Sequence, residues 1–267
     1  MTVSVVQTDL KKGAVDANLN HVESLVDGLD ADLVVLPELF ATGYFFDSTE
    51  QAHALAEEAP DGPTVRRMEQ WAKASGAVIV GGLAERAGEA VYNSAAVVTP
   101  RGWLGTYRKT HLFYEETQHF TPGDTGFQVW SVQDRRGQSY RLGAMVCFDW
   151  FFPESARALA LNGADVIAHP SNLVLPHCPR AMPVRALENH LFTATANRIG
   201  TESNGREDLT FIGQSVICSP RAETLASAPE AEEAVVTAEI LPREARQRAV
   251  NEYNDLLADR RPEHYGS

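Results

Sequence analysis

Three residues, far apart in the chain, have types and settings that could do chemistry together. Cys147 ends the apolar run Leu142–Val146 and is followed by an aromatic and acidic turn, Phe148 to Phe152, before Pro153-Glu154 opens a helix. A strand that delivers a cysteine to a sharp turn presents the sulfur at the strand's carboxyl end, where α/β sheets place their sites. A buried cysteine by itself is only a small hydrophobe, so the case depends on partners. Glu38 is one: it follows the apolar run Leu33–Leu36 and Pro37 and precedes Leu39, Phe40 and Tyr44-Phe45-Phe46. Poor solvation there would raise the carboxyl pKa into the range useful for proton transfer, whereas a strand-end Glu that caps a helix or faces water would stay ordinary. Lys109 is the other. Of the 23 basic residues only four are lysines, and Lys109 stands among aromatic and apolar neighbours, Tyr107 to Phe113. A compact ammonium places a point charge against a developing oxyanion, which a planar guanidinium does less well; the alternative is a lysine lying over apolar surface. His111 is close by, but one histidine among eight is more often a packing residue.

Positioning these groups falls to alternating strands and helices. Residues 2–10 read as an edge or near-edge strand and 33–36 as a strand covered on both faces. Asp16 is placed to cap a helix carrying Leu19, Val22, Leu25 and Val26. A second helix starts at Asp61-Gly62-Pro63, with Val65, Met68, Trp71 and Ala72 on one face, and stops at Gly76. Strands follow at 77–82, 93–98 and 103–107, the last two joined by the turn Pro100-Arg101-Gly102, and then at 126–132. After the strand to Cys147 come a helix over 153–162, stopped by Gly163, and a strand over 164–169 that exits into Pro170-Ser171-Asn172. A helix over 183–192 and strands at 193–197, 211–219 and 234–240 complete the pattern. Some neighbours are hairpin-linked, so the expected class is α/β with mixed sheets. No repeat, low-complexity tract or linker divides residues 1–267, which read as one domain. Residues 251–267, with Tyr253, Leu256, Leu257 and Tyr265, read as an arm that packs at a subunit interface.

Composition narrows the function classes. The formal charge of −13 argues against nucleic acid or an anionic membrane as partner. No apolar run approaches a membrane span, and Met1 leads directly into a strand pattern without a signal-peptide profile. Three widely spaced cysteines, Cys147, Cys178 and Cys218, do not form a disulfide framework, which points to a reducing cytoplasm. His177-Cys178 lacks the paired ligand spacing of zinc motifs, so no metal is expected.

Leu36-Pro37-Glu38-Leu39, Tyr107-Arg108-Lys109-Thr110-His111-Leu112-Phe113 with Glu116, and Cys147-Phe148-Asp149-Trp150-Phe151-Phe152-Pro153-Glu154 stand in the order Glu, Lys, Cys. On these motifs the chain resembles the nitrilase superfamily of carbon–nitrogen hydrolases, and is closest to its small archaeal and bacterial members. Tyr92-Asn93-Ser94, Thr121-Pro122-Gly123-Asp124, His169-Pro170-Ser171-Asn172 and Arg185-Ala186-Leu187-Glu188-Asn189 extend the resemblance over the whole length. It implies an α-β-β-α sandwich that forms a four-layer core and then an eight-layer dimer or higher even-numbered assembly. It also implies that no cofactor is used.

The implied chemistry suits the residues. Cys147 attacks an amide carbonyl as thiolate, its pKa lowered by the nearby ammonium. Lys109 and the main-chain N–H of Phe148 hold the oxyanion. Glu38 moves the protons, and Glu116 matches the family's second glutamate, with Glu115 beside it. Asp149 and Glu154 read as structural, as does the set Arg185, Glu188 and Asn189. Asn172, Tyr114, Trp150 and Phe148 are the expected substrate-binding residues of a narrow, mostly apolar pocket that suits short linear substrates. Dedicated nitrilases of the family tend to carry Trp-Glu after the cysteine, where this chain has Phe148-Asp149. Small aliphatic amides are therefore the expected substrates, ahead of small aliphatic nitriles and N-carbamoyl amines. A binding or scaffold protein is the competing class, and the intact Glu/Lys/Cys set argues against it.

Overall fold

A computed structural model describes residues 1–265 and has two mixed sheets stacked face to face with helices on their outer sides. In the first sheet β1 (Thr2–Asp9), β2 (Leu33–Val35) and β3 (Val78–Ala87) run parallel, and β4 (Ala90–Thr99) and β5 (Gly102–Arg108) add as antiparallel hairpins. In the second, β6 (Val129–Gln133) pairs antiparallel with β7 (Ser139–Ala144), and β7, β8 (Val166–Pro170) and β9 (Phe192–Ala196) run parallel. Beyond β9 the short β10 (Arg198–Ile199) crosses to the first sheet and pairs with the end of β1, and β11 (Thr201–Ser203) and β12 (Asp208–Thr210) form a small separate hairpin. β13 (Val216–Cys218) and β14 (Thr224–Ser227) extend the second sheet from β9, and β15 (Ala234–Glu239) returns to lie antiparallel along β1.

Alternation decides which residues face which layer. Val3, Val5, Leu33, Val35, Val78 and Val80 point between the sheets, while Val6, Val34 and Ile79 point outward. The outward residues meet Leu19 and Val22 of α1 (Val15–Val26) and Met68 and Trp71 of α3 (Pro63–Ser75), with α2 (Thr49–Leu55) and the one-turn α4 (Glu116–His119) near the strand ends. On the second sheet α5 (Pro153–Leu161) and α6 (Cys178–Asn189) bring Leu159, Met182 and Ala186 to the core. Each such buried aliphatic side chain contributes about 1.5–3 kcal/mol, and the two interfaces use dozens. The expected α/β architecture with mixed sheets is the one observed.

Several local expectations differ. β1 is the near-edge alternative and not an edge strand, because β15 and β10 cover the side that β2 leaves free. Asp16 lies in the first turn of α1, where it suits the helix N-terminus but makes no side-chain cap. α6 begins five residues earlier than Pro183: Pro179 sits in its first turn, and the N–H that Pro183 lacks would have met only the carbonyl of that first turn. The expected strand 211–219 shrinks to β13. Arg185 bonds the Trp150 carbonyl at 3.2 Å and Glu188 at 2.9 Å, a helix-face network as anticipated. In the arm Leu257 packs against the core while Tyr253 is 82% exposed; Gly266 and Ser267 lie outside the described residues. Among the described residues no helix is long and apolar enough to cross a membrane.

The parallel strand ends deliver the residues of interest. Glu38 follows β2, Cys147 follows β7 and Asn172 follows β8, while Lys109 follows β5, which reaches the same end as the other arm of a hairpin. Close packing locks the Glu38 segment in place. A Cβ on Gly82 would fall 2.4 Å from the Leu39 nitrogen and 2.5 Å from the Glu38 Cα. We expect Gly82→Ala to destabilise the fold by about 1–3 kcal/mol through this overpacking, read as a lowered midpoint in urea unfolding. An unchanged midpoint would show that the β3–Glu38 contact gives way freely.

Candidate active site

Local backbone geometry aims the side chains. Leu39, Tyr114 and Cys147 all have positive φ, at 49°, 53° and 41°, so each turn next to a site residue is held in a conformation that non-glycine residues rarely adopt. Asp149 secures the cysteine turn. Fully buried, it accepts the Val146 N–H at 2.9 Å and the Tyr107 hydroxyl at 2.7 Å with one oxygen, and the main chain and ring of His111 with the other. His111 is stacked on Phe152 with ring centroids 3.7 Å apart and is thus a structural partner of Asp149, not a base for Cys147. His169 holds the turn from the second sheet: Nε2 donates to the Cys147 carbonyl at 3.0 Å, and Nδ1 lies 3.0 Å from the Thr195 hydroxyl. Burial lowers the His169 pKa to about 4, so the ring is neutral.

The charged centre is compact and dry. Lys109, with no exposed surface, donates to Glu38 Oε1 and to Glu116 Oε1, each at 2.7 Å. Asn93 ties the carboxylates together, donating to Glu38 Oε1 at 2.7 Å and to Glu116 Oε2 at 3.4 Å, and Tyr44 donates its hydroxyl to Glu116 Oε1 at 2.6 Å. Glu38 Oε2 is buried and has no hydrogen-bond partner among the described residues. Asn172 fixes Glu38 from behind, its side chain donating to the Glu38 carbonyl at 2.9 Å, and lines the recess beside Cys147.

Electrostatics follow from this burial. Desolvation raises the Glu38 pKa to about 7; Lys109 opposes the shift and Glu116 adds to it. Burial alone would lower the Lys109 pKa, yet Glu116 and Glu38 overcome it and drive the value up, so the side chain stays an ammonium. The thiol of Cys147 departs from expectation. Lys109 does pull its pKa down, but burial and Glu38 outweigh that pull and raise it well above the usual value. The resting sulfur is therefore a thiol, not a thiolate, and needs a base at the moment it reacts.

Cys147 opens onto an apolar recess lined by Phe113, Phe148, Trp150, Phe151, Asn172 and Leu173 to Leu175. Of the four expected binding residues, Phe148, Trp150 and Asn172 are there, and Tyr114 is not. Half exposed, Tyr114 hydrogen bonds Glu207 and lines a second recess with Tyr44 and Glu116. Glu115 is turned outward to Arg206 at 2.7 Å. Three site residues were not anticipated as such: Asn93, Tyr44 and His169. The available signal was a polar side chain inside an otherwise apolar run, as in Val91-Tyr92-Asn93-Ser94-Ala95. A larger surface groove, of about 800 Å³, lies elsewhere, at the sheet edges around Gly76, Trp103 and Arg135, and contains none of these groups. His177 is exposed and Cys178 buried, so the two do not face a common site.

The three cysteines should differ sharply in reactivity. Cys147 lines the open recess, whereas Cys178 and Cys218 have no exposed surface. Incubation of the native protein with iodoacetamide, followed by peptide mass spectrometry, should place the label on the Cys147 peptide alone. Label on Cys178 or Cys218 before denaturation would contradict that difference.

Comparison with known proteins agrees with the geometry. The profile of the carbon-nitrogen hydrolase family matches residues 2–249. A protein named nitrilase from Pyrococcus abyssi (strain GE5 / Orsay) is 50% identical over 253 residues, covering 94% of this chain and 93% of that one. The crystal structure of a carbon-nitrogen hydrolase from Helicobacter pylori G27 superposes with a TM-score of 0.85 at 26% identity, covering 99% of this chain and 96% of the other. An amidase from Nesterenkonia sp. superposes with a TM-score of 0.78 at 26% identity over 98% and 94%. With its two stacked mixed sheets and the family profile running almost end to end, this chain belongs to the nitrilase superfamily of carbon-nitrogen hydrolases.

Proposed function

We propose that this hydrolase cleaves the carbon–nitrogen bond of small, linear aliphatic amides through a thioester on Cys147. One observation carries the reading: an ammonium shared between two buried carboxylates, Glu38 and Glu116, beside a cysteine that opens onto an apolar recess. Glu38 Oε2, unpartnered and on a carboxyl with a pKa of about 7, takes the thiol proton as sulfur bonds to the carbonyl carbon. The oxyanion is held by Lys109 and the Phe148 N–H. Lys109 has three N–H groups, two committed to the glutamates, which leaves the third. Phe148 lies in the first turn of the 3-10 helix after Cys147, where N–H groups have no intrahelical acceptor. As the C–N bond breaks, Glu38 passes its proton to departing ammonia. It then deprotonates the water that attacks the thioester and restores the thiol.

Amide ranks above nitrile because Phe148-Asp149 stands where dedicated nitrilases of the family tend to carry Trp-Glu. The relatives carry both names, nitrilase in Pyrococcus and amidase in Nesterenkonia. The decisive measurement is kcat/KM for matched carboxamide and nitrile pairs on one carbon skeleton. Amides should lead, and a tenfold or greater lead for nitriles across the pairs would reverse the assignment. Lys109→Arg should cost roughly 100- to 1,000-fold in kcat, since the guanidinium cannot occupy the point between the two carboxylates. Activity near wild type would make Lys109 purely structural.

The assembly belongs to the same proposal. Leu161 on α5, Val184 and Leu187 on α6, and Tyr253 in the arm are large apolar side chains left exposed. They suit burial against a second copy of the chain. Light scattering at micromolar concentration should give the mass of a dimer or a higher even-numbered oligomer, and a monomer mass would refute it. The unpaired cysteines suit a reducing compartment such as the cytoplasm.

A further inference from the structure

A second buried ion pair lies behind the first. Arg198 on β10 is fully out of water, and Glu202 on β11 nearly so. Arg198 Nη1 donates to Glu202 Oε1 at 2.5 Å and Nη2 to the Leu10 carbonyl at 2.5 Å, and the guanidinium lies 4.3 Å over the Phe211 ring. Taking such a pair out of water commonly costs more than its attraction returns, so stability alone does not account for it. Its free oxygen has a use: Glu202 Oε2 accepts the main-chain N–H of Tyr44 at 2.9 Å and of Phe45 at 2.7 Å. The chain lies on this carboxylate so closely that a Cβ on Gly43 would fall 2.7 Å from Glu202 Oε1. The Phe211 ring beneath the guanidinium also meets the Tyr44 ring edge-on, with centroids 6.0 Å apart. Both the backbone and the ring of Tyr44 are thereby fixed by the Arg198–Glu202 pair. From that position the phenol reaches Glu116 Oε1, the same oxygen that accepts Lys109.

We propose that Glu202, backed by Arg198, is a positioning residue for the reaction, holding Tyr44 so that its hydroxyl satisfies one side of Glu116 and leaves Lys109 shared between Glu116 and Glu38. The inference rests on the Cys147 thioester reading above. A carboxylate oxygen has two lone pairs, and on Glu116 Oε1 one goes to Tyr44 and the other to Lys109. Without the phenol, Glu116 draws the ammonium more strongly. Lys109 then moves from Glu38 and from the oxyanion, and Glu38, losing part of its cation, holds its proton to higher pH. Neither Glu202 nor Tyr44 touches the bond that breaks.

Steady-state kinetics across pH test this on the full chain, comparing wild type with Cys147→Ala, Tyr44→Phe, Glu202→Gln and the Tyr44→Phe/Glu202→Gln double variant. Tyr44→Phe should lose roughly ten- to hundredfold in kcat, with KM changed by no more than about threefold, as loss of an outer-shell partner does. Its acidic limb of kcat/KM should move to higher pH. Glu202→Gln should show the same shift in weaker form, and the double variant should be no worse than Tyr44→Phe alone, because both act along one path. Should Glu202→Gln fail to fold, Phe211→Leu removes the ring link instead and should give the same limb shift. Unshifted limbs in Tyr44→Phe, or losses that multiply in the double variant, overturn the positioning role while an inactive Cys147→Ala leaves the thioester reading intact. Turnover by Cys147→Ala overturns both.

Discussion

Everything at the centre of this protein depends on keeping one ammonium dry. Lys109 has no exposed surface, and each of its two carboxylate partners is at most a few per cent exposed. Moving ions of this size out of water costs several kcal/mol apiece even after relaxation, and mutual attraction returns that only when geometry is tight and remaining lone pairs are satisfied. Asn93 and Tyr44 go part of the way to the second, donating to the same carboxylates and leaving only Glu38 Oε2 of the four carboxylate oxygens without a partner among the described residues. The first needs a frame that cannot drift. Two sheets stacked across an aliphatic interior supply it, because a close-packed core transmits a displacement instead of absorbing it.

The frame holds strain at the points where chemistry would be done. Leu39, Tyr114 and Cys147 each take a backbone conformation costing of order 1–3 kcal/mol. The turns at Leu39 and Cys147 are fixed by neighbouring elements. Gly82 allows β3 to press on the Glu38–Leu39 peptide, and Asp149 and His169 grip the Cys147 turn from opposite sheets. A single sheet could not do this, since Asp149 is tied to Tyr107 of the first sheet and His169 to Thr195 of the second. The sandwich is thus a condition for the site as well as its support.

That dependence explains what the sequence disclosed. Glu38, Lys109 and Cys147 stood out because ionisable or nucleophilic residues next to apolar strand ends are locally anomalous; Glu116 came only with the family resemblance, and the structure does bring the four together. Helix borders at Pro63 and Gly76 were legible for the same local reason, a fixed φ and a left-handed stop. Asn93, Tyr44, His169 and the Arg198–Glu202 pair were not, because their meaning lies in partners more than twenty residues away or on another sheet. The strand that covers the free side of β1 was hidden likewise, since β15 begins 225 residues after β1 ends. Tyr114 was misplaced because its partner, Glu207, lies 93 residues further along the chain.

The protonation of Cys147 is where local and tertiary reasoning diverge most. An ammonium beside a thiol lowers its pKa, and that effect is present here, but it acts on a buried site that also holds two carboxylates. Counting charges, a thiolate beside Glu38 and Glu116 would place three anions around one cation. The favourable state keeps the proton on sulfur and the negative charge on the glutamates. A low thiol pKa is therefore not what would make the sulfur reactive. What matters is an acceptor of matching affinity within the same dry enclosure, and burial gives Glu38 a pKa of about 7 for that purpose. The same burial that denies the cysteine its charge thus creates the base that can relieve it of its proton, so nucleophile and base are set by one constraint.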